Sequence, residues 1–392
     1  MTDAVKPHSM RHARAGTVRT LVPVAAVVTA GILPVFLVGG LGVQLQRELG
    51  FGAAVLGLGT AGFFGVAALA SRAMGWVVER IGASRAMRLA AVGSSLCLLG
   101  LGASDNAAWL IAVVWLAGLP NSLGQPAANL LITQNVPVRV RATAFGVKQA
   151  SIPAATLLSG LAVPAVALTI GWRWAFVLAA VTGCCAALFV PGSPAADSHG
   201  AGSAQESSSG SGRAALLLLA AAAGLGSAAA NALGAFVTTT AVQVGFGPAA
   251  AGLVLSLGSA AGLAVRLLAG VAADRKNPDT LRVITTMLFV GSLGYGLMAL
   301  GTTTPFLLGA IVGFGAGWAW PGLLNFAVAH LNPGRVAGAT SVTQTGVYIG
   351  GSGGPLLFGL LAEHAGLRSA WLAAAAVAIL AGSFLLAARR RS

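Results

Sequence analysis

Acids are scarce in this chain: nine in 392 residues, against 23 Lys and Arg. They are Asp3, Glu48, Glu79, Asp105, Asp197, Glu206, Asp274, Asp279 and Glu363, and none falls in the middle of an apolar run. Paired carboxylates for general acid–base work are therefore missing. Cysteine is scarcer still, and Cys97, Cys184 and Cys185 all sit inside apolar runs. No disulfide framework is implied, and buried free thiols are the expectation. His8, His12, His199, His330 and His364 lie near the ends of such runs or outside them. No pair has metal-ligand spacing within a run, so neither a metal nor a cofactor is expected. Charged residues make up 8% of the chain and hydrophobic ones 56%, with a mean hydropathy of +0.85. A soluble core cannot hide that much apolar surface, so lipid is the solvent.

What fills the chain instead is a series of apolar segments, each about 20 residues and so long enough to cross ~30 Å of hydrocarbon. Twelve are predicted, at 21–43, 53–74, 89–103, 107–131, 149–168, 173–190, 214–242, 249–270, 283–302, 306–329, 339–362 and 371–388. Strand-like alternation is absent, and an unpaired backbone amide in lipid is prohibitive, so the spans are helices and the fold class is all-α membrane protein. The first segment is too long for an ordinary signal-peptide core and reads as an uncleaved first helix. Pro191 to Arg213 is rich in Ser, Gly and Ala, with nothing to bury, and reads as a flexible linker. The expected organisation is a basic tail (1–19), a six-helix bundle (20–190), the linker (191–213), a second six-helix bundle (214–388) and a short basic end (389–392).

The two bundles are copies of one unit. At an offset of 195 residues, Gly50-Phe51-Gly52 meets Gly245-Phe246-Gly247, Pro126 meets Pro321, Val147 and Gln149 meet Val342 and Gln344, and Gly171-Trp172-Arg173 meets Gly366-Leu367-Arg368. Duplicated bundles of apolar helices point to a transporter whose halves rock about a shared central site. The net charge of +14 follows the helix ends rather than forming a patch for nucleic acid. With a cytoplasmic N-terminus, seventeen of the 23 cations fall in cytoplasmic segments, and the positive-inside rule places both termini there. The expected setting is a cytoplasmic (inner) membrane, with lipid and a small molecule as partners and a monomeric state.

The loop after the second span reads Gly75, three residues, Glu79, Arg80, then Gly82 and Arg85, and the loop after the eighth repeats Gly270, Asp274 and Arg275 in register. Here the chain resembles the major facilitator superfamily, whose signature joins helices 2 and 3. The resemblance covers essentially the whole length and implies twelve helices in two pseudo-symmetric bundles working by alternating access. It further implies that Glu79 faces the start of helix 11 near Gly338 to Ser341, and Asp274 the start of helix 5, as latches of the outward-open state. An acid against a helix N-terminus gains about 1–2 kcal/mol in a partly buried site.

Small residues recur every four positions in helix 11 (Gly346, Gly350, Gly354, before Pro355) and at the matching positions of helix 5 (Ser151, Ala155, Ser159). Such stripes let helices pack closely. Gly350-Gly351-Ser352-Gly353-Gly354 fits a nucleophile elbow and Gly57-Leu58-Gly59-Thr60-Ala61-Gly62 a dinucleotide fingerprint. Both lie in apolar helices without the strand those motifs require, so an enzyme is not expected.

The embedded cations carry the functional reading. Arg72, Lys148 and Arg266 fall within or just inside spans, at about 2.5–3.5 kcal/mol each at a helix centre. A cation without an acid partner wants an anion. Arg266 lies eight residues before Asp274, about 12 Å along the axis, and Lys148 about two turns into helix 5. Arg266-Leu267-Leu268-Ala269-Gly270 also resembles helix 8 of the monocarboxylate and oxalate transporters of that superfamily, which implies a carboxylate-binding Arg266. Arg72 is nearer the loop and suits a structural or gating role. Asn121, Gln125 and Asn129 share a face of helix 4, Asn231 and Thr238 a face of helix 7, Gln149 and Gln344 complete a polar lining, and Tyr348 is an aromatic able to stack on a ligand. The expected function is transport of a small organic anion such as a carboxylate. The alternative is a proton-coupled exporter of drugs or hydrophobic compounds, which Trp115 and Trp318 would suit.

Overall fold

The structure, a computed structural model, describes residues 7–137, 140–192, 212–276, 279–332 and 336–391. Side chains of 7–16, 142, 273–276, 329–330 and 336–338 also lie outside the description, as does most of the predicted linker. Helices fill the chain, and no strand occurs among the described residues.

The first span is α1 (Pro7–Gly40), continued through Leu41 by α2 (Gly42–Leu49). Next come α3 (Ala53–Ile81), α4 (Ala83–Gly102) and α5 (Ala107–Asn135). The fifth span is built from α6 (Arg141–Gln149), α7 (Ser151–Ala162) and a π-helical turn at Val163–Ala167, and α8 (Trp172–Leu188) is the sixth. The second half follows the same plan with α9 (Arg213–Gln243), α10 (Pro248–Lys276) and α11 (Thr280–Met298). Its tenth span joins α12 (Thr303–Val312), a π-helical turn at Gly313–Gly317, and α13 (Pro321–Leu331). The last helix, α14 (Val336–Arg389), turns at Gly366, where φ is 79°, and so supplies spans eleven and twelve.

Turn chemistry obeys the repeat. Gly50 and Gly245 adopt φ of 66° and 104°, and Gly171 and Gly366 adopt 103° and 79°; in each pair the partners are 195 residues apart. Only glycine takes this conformation without steric cost, so the duplicated glycines mark equivalent corners. Several helices start earlier than hydropathy predicts, α1 by fourteen residues, and in α4 and α6 the cause is visible. Arg85 and Arg88 disguise the first turn of α4, and the polar Lys148–Gln149 pair disguises α6.

Apolar packing divides the molecule by depth. One cluster joins both halves, running from Ile32, Phe36 and Leu45 through Leu233, Phe236 and Phe306 to Trp371. Two others stay within one half each: Val24, Met87, Leu131 and Val190 in the first, Leu219, Ile284, Trp320 and Leu385 in the second. The shared cluster lies at the end bearing the α1–α3 connection, called here the far end. The separate clusters lie at the opposite, basic end, beside the Gly75–Arg85 loop. The halves thus share one apolar core at the far end and have separate cores towards the basic end.

Within each half the small-residue stripes do what their spacing predicts. Gly346, Gly350 and Gly354 lie against Ala220, Gly224 and Ala228 of α9, so closely that any added Cβ would run into those backbones. At the equivalent register of the first half, the Ser151 hydroxyl donates to the Ala25 carbonyl at 3.3 Å, and Gly40 abuts Ser159.

Candidate functional site

Besides the contact of α1 and α2 with α9, two seams join the halves, one between α3 and the first arm of α14, the other between α7 and α10. Both are closest at glycine. A Cβ on Gly57 would run into the Pro355 carbonyl, and a Cβ on Gly252 into the carbonyl of Gly160; these two pairs are the same pair under the repeat. One turn deeper, Ser352 donates to the Ala61 carbonyl at 2.8 Å and Ser256 to the Leu157 carbonyl at 3.0 Å. Again the positions coincide, but the donor has moved to the other helix of the pair.

Deeper still the seams diverge. In the α7–α10 seam, Arg266 donates from one terminal nitrogen to the Gln149 carbonyl at 3.1 Å and from the other to the Trp318 carbonyl at 2.8 Å. The Gln149 carbonyl is available because its helical partner four residues on is Pro153, which has no N–H. That proline also accounts for the interruption between α6 and α7. Trp318 lies in the interruption before Pro321, where Trp320 Nε1–H donates to the Gly317 carbonyl that Pro321 leaves free. Arg266 therefore spends two of its five donors on backbone, while its buried Nε–H has no partner. At the same register of the other seam stand Ser71, Gln344 and Tyr348, with the tyrosine hydroxyl against the other two side chains. Ser71 is the repeat mate of Arg266, Gln344 that of Gln149 and Tyr348 that of Pro153. One seam is closed by a cation, the other by neutral groups.

Lys148 is buried, 7% exposed, and donates to Asn129 Oδ1 at 2.7 Å. It sits one residue from the carbonyl that Arg266 grips. The space bounded by Ile152, Pro153, Thr156, Ser259, Arg266, Phe314 and Trp318 is about 10 Å³, room for about one water. Arg266 is thus held by protein carbonyls in this conformation, beside a collapsed pocket.

The remaining expected site residues are less unified. Asn121 is buried, with Oδ1 unpartnered beside Gly31 and Ser94 inside the first half. Gln125 is partly buried and forms no hydrogen bond among the described residues. Asn231 bonds Ser227 of its own helix, and Ser227 donates to the Val347 carbonyl, so Asn231 serves the α9–α14 packing here. Thr238 donates to the Gly39 carbonyl at 2.7 Å and ties α9 to α1. Gln149 enters through its carbonyl rather than its side chain. Glu79 is exposed and forms no ion pair or hydrogen bond among the described residues. Arg80 lies over the Trp76 ring at 3.8 Å, Gly82 bonds Val78 and Ala86 through its backbone, Arg85 is exposed and forms no side-chain hydrogen bond or ion pair among the described residues, and Gly75 and Gly270 face open space. The side chains of Asp274 and Arg275 fall outside the described residues. Sequence reasoning missed Ser71, Pro153, Ser256 and Ser352; the offset of 195 that pairs Ser71 with Arg266 was the available signal.

Glu363, also missed, closes the far end. Its Oε2 accepts from the Ala54 amide at 2.9 Å, at the first turn of α3, so a carboxylate of one half caps a helix of the other.

The Major Facilitator Superfamily profile matches residues 24–352. The chain belongs to that superfamily. It is a multi-pass membrane transporter rather than an enzyme. Among curated proteins no relative matches. Among solved structures it is similar to a bacterial homologue of the human lysosomal transporter Spinster in an inward-facing, occupied conformation, with a TM-score of 0.75, 16% identity and coverage of 99% of this chain and 98% of that one. It is likewise similar to the nucleoside transporter NupG, with a TM-score of 0.75, 13% identity and coverage of 94% and 99%. At such identities these neighbours speak to the fold of this transporter alone.

Proposed function

We propose that this transporter moves a small organic anion, of carboxylate type, across a cytoplasmic membrane by alternating access. The observation that carries the reading is a pair of cations, Arg266 and Lys148, at one helix interruption beside a seam, each bonded only to neutral oxygens. No acid lies in the interior of any span to neutralise them. In a low-dielectric site an uncompensated charge is costly, and an anionic cargo supplies the missing counter-charge.

The geometry also gives binding a consequence. A carboxylate taking the Arg266 guanidinium would replace two bonds to neutral carbonyls by a bidentate ion pair, in which donor and acceptor are both charged. The carbonyls of Gln149 and Trp318 would then be released, loosening the α7–α10 seam at mid-depth. Cargo and seam compete for one side chain, and that competition is how occupancy biases the rocking of the halves. With the positive-inside orientation, the basic end is cytoplasmic and this conformation opens inward. The disengaged Glu79 fits that state. Trp115 and Trp318, which would suit a hydrophobic cargo, are occupied in packing: Trp115 Nε1–H donates to the Leu58 carbonyl at 3.0 Å, and Trp318 rests against Phe36 and Phe314.

The test is a thermal-shift screen of purified protein with oxalate, malonate, succinate, neutral sugars and cationic drugs, repeated on Arg266→Ala. Stabilisation by carboxylates that disappears in the variant is expected. Carboxylate stabilisation that survives Arg266→Ala, or stabilisation by cationic drugs alone, would overturn the reading.

A further inference from the structure

The anion reading leaves open what energises uptake, and the side chains around Lys148 bear on it. Proton-coupled carriers need a group within the membrane that gains and loses a proton during the cycle, usually a carboxylate. Here all nine acids lie outside the span interiors. Arginine does not deprotonate in proteins, which removes Arg266. Lys148 is the one amine in the interior of a span, and amines do exchange protons when buried.

Its surroundings are unusually one-sided. Helix α6 packs against α1, α5 and α7, and α5 and α7 contain no titratable residue at all. Among described side chains α1 contributes Arg19. On α6 itself Arg141 is tied to the carbonyls of Val136 and Thr133. From α10 across the seam comes Arg266, gripping the carbonyl of the very next residue. Among the described residues every charged group near Lys148 is positive, and its one partner there, Asn129 Oδ1, is a neutral acceptor that suits an amine as well as an ammonium. Among the described residues no carboxylate locks the lysine in its charged form.

We propose that Lys148 is the proton-binding residue of the transport cycle, taking up one proton with each anion. The proposal rests on the anion reading above. On the loading side, water delivers a proton to the Nζ lone pair, and the resulting ammonium and the Arg266 guanidinium share the incoming anion. On release the anion departs, two like charges are left facing each other, and the ammonium returns its proton to water. One proton and one anion enter and leave together, with no other reactant. Each favours the binding of the other, which is the reciprocity that coupled transport requires.

The experiment uses the full chain in proteoliposomes with the membrane potential clamped at zero and radiolabelled oxalate, malonate and succinate as probes. Uptake is measured in two modes, counterflow without a gradient and uptake driven by a gradient of about one pH unit, acid outside. One proton per anion gives about tenfold accumulation under such a gradient. Lys148→Arg keeps a fixed charge, and Asn129→Asp gives Lys148 an acid partner that locks it charged. Both residues belong to the site, so counterflow should slow in each variant, and coupling is read from the final ratio of inside to outside probe, which does not depend on rate. That ratio should fall from about ten to about one in both variants. A tenfold ratio that persists in either variant overturns the proposal, as does complete abolition of counterflow in both. Counterflow of a probe by the wild-type protein without any response to the pH gradient overturns the proposal and leaves the anion reading standing. Absence of counterflow for every probe overturns both.

Discussion

The α3–α14 and α7–α10 seams descend from one ancestral contact, yet only half of that ancestry is still visible in each. At the far end they remain equivalent: Gly57 against Pro355 mirrors Gly252 against Gly160, and the serine bonds of Ser352 and Ser256 occupy the same register with the donor exchanged. At mid-depth they have parted, with Arg266 and a proline-freed carbonyl on one side and Ser71, Gln344 and Tyr348 on the other. Backbone approach and hydroxyl bonds serve a rocking motion that both seams share, so either arrangement is retained. Recognition of one asymmetric cargo needs only one charged seam, so the chemistry was free to diverge.

The sharpest way to break this comparison is at mid-depth. Arg266→Ala removes the guanidinium that closes the α7–α10 seam at mid-depth. Loss of a buried, charge-assisted contact costs about 2 kcal/mol or more, on the order of 30-fold in affinity for the anion. Arg266→Lys should rescue little, because a point charge cannot bridge the Gln149 and Trp318 carbonyls as a guanidinium fork does. Ser71→Ala, at the same register, should leave affinity within about twofold. Equal losses from Arg266→Ala and Ser71→Ala in a titration with oxalate would show that the seams are not functionally distinct.

Next in size are the glycine contacts, where the seams are expected to behave alike. Gly57→Leu and Gly160→Leu each drive a side chain into backbone that has no rotamer to yield. Overpacking of this kind costs about 1–3 kcal/mol, which is about 5- to 150-fold in the population of the state closed at the far end. Reaction of a reporter cysteine at the far end with a membrane-impermeant maleimide should rise in both variants. A rise in one alone would mean that the other seam is not holding that end shut.

Why these two outcomes could not both be read from the chain is a matter of what a repeat encodes. The offset of 195 states which positions are equivalent, and the spacing of Gly346, Gly350 and Gly354 states that a helix will be approached closely. Both hold in the fold. Neither says which helix makes the approach, so the contacts of Gly57 with Pro355 and of Glu363 with Ala54 emerge only in three dimensions. Polar faces mislead for a related reason: Asn231 lies where helical periodicity puts it, yet Ser227 on the same helix is a nearer partner than any cavity. The grip of Arg266 on Gln149 was partly legible. A proline four residues beyond a carbonyl announces a free acceptor, and Pro153 stands at that distance.

Smaller effects are expected where one seam has a contact that the other lacks. Glu363→Ala removes a cap from α3 and should cost about 1 kcal/mol, around fivefold in far-end closure. The repeat mate of Glu363 is Leu168, so Leu168→Ala should be nearly silent in the same maleimide assay. Ser256→Ala and Ser352→Ala each delete one interhelical bond worth about 0.6 kcal/mol in a membrane protein, roughly threefold. Because they lie in different seams, the double variant should show the sum.

The smallest predicted effect concerns the far-end corners rather than the seams. In the first half, Glu48 accepts from Trp172 Nε1–H at 2.5 Å and pairs with Arg173. At the equivalent positions of the second half stand Gln243, Leu367 and Arg368. The Trp172 hydrogen bond first, and then the Arg173 hydrogen bond, hold the Glu48 carboxyl below its ordinary value of 4.5. A carboxyl whose folded pKa is lowered contributes stability above its unfolded value and loses it as pH falls through the folded one. The Tm difference between wild type and Glu48→Gln should therefore be constant above pH 4.5 and shrink towards zero below it. The pair is largely exposed, so screening keeps the difference small. Gln243→Leu, lacking a titrating group, should show no pH dependence at all. A Glu48→Gln difference that grows on acidification would mean that the Trp172 and Arg173 contacts do not favour the ionised carboxylate, and the two corners would then be alike after all.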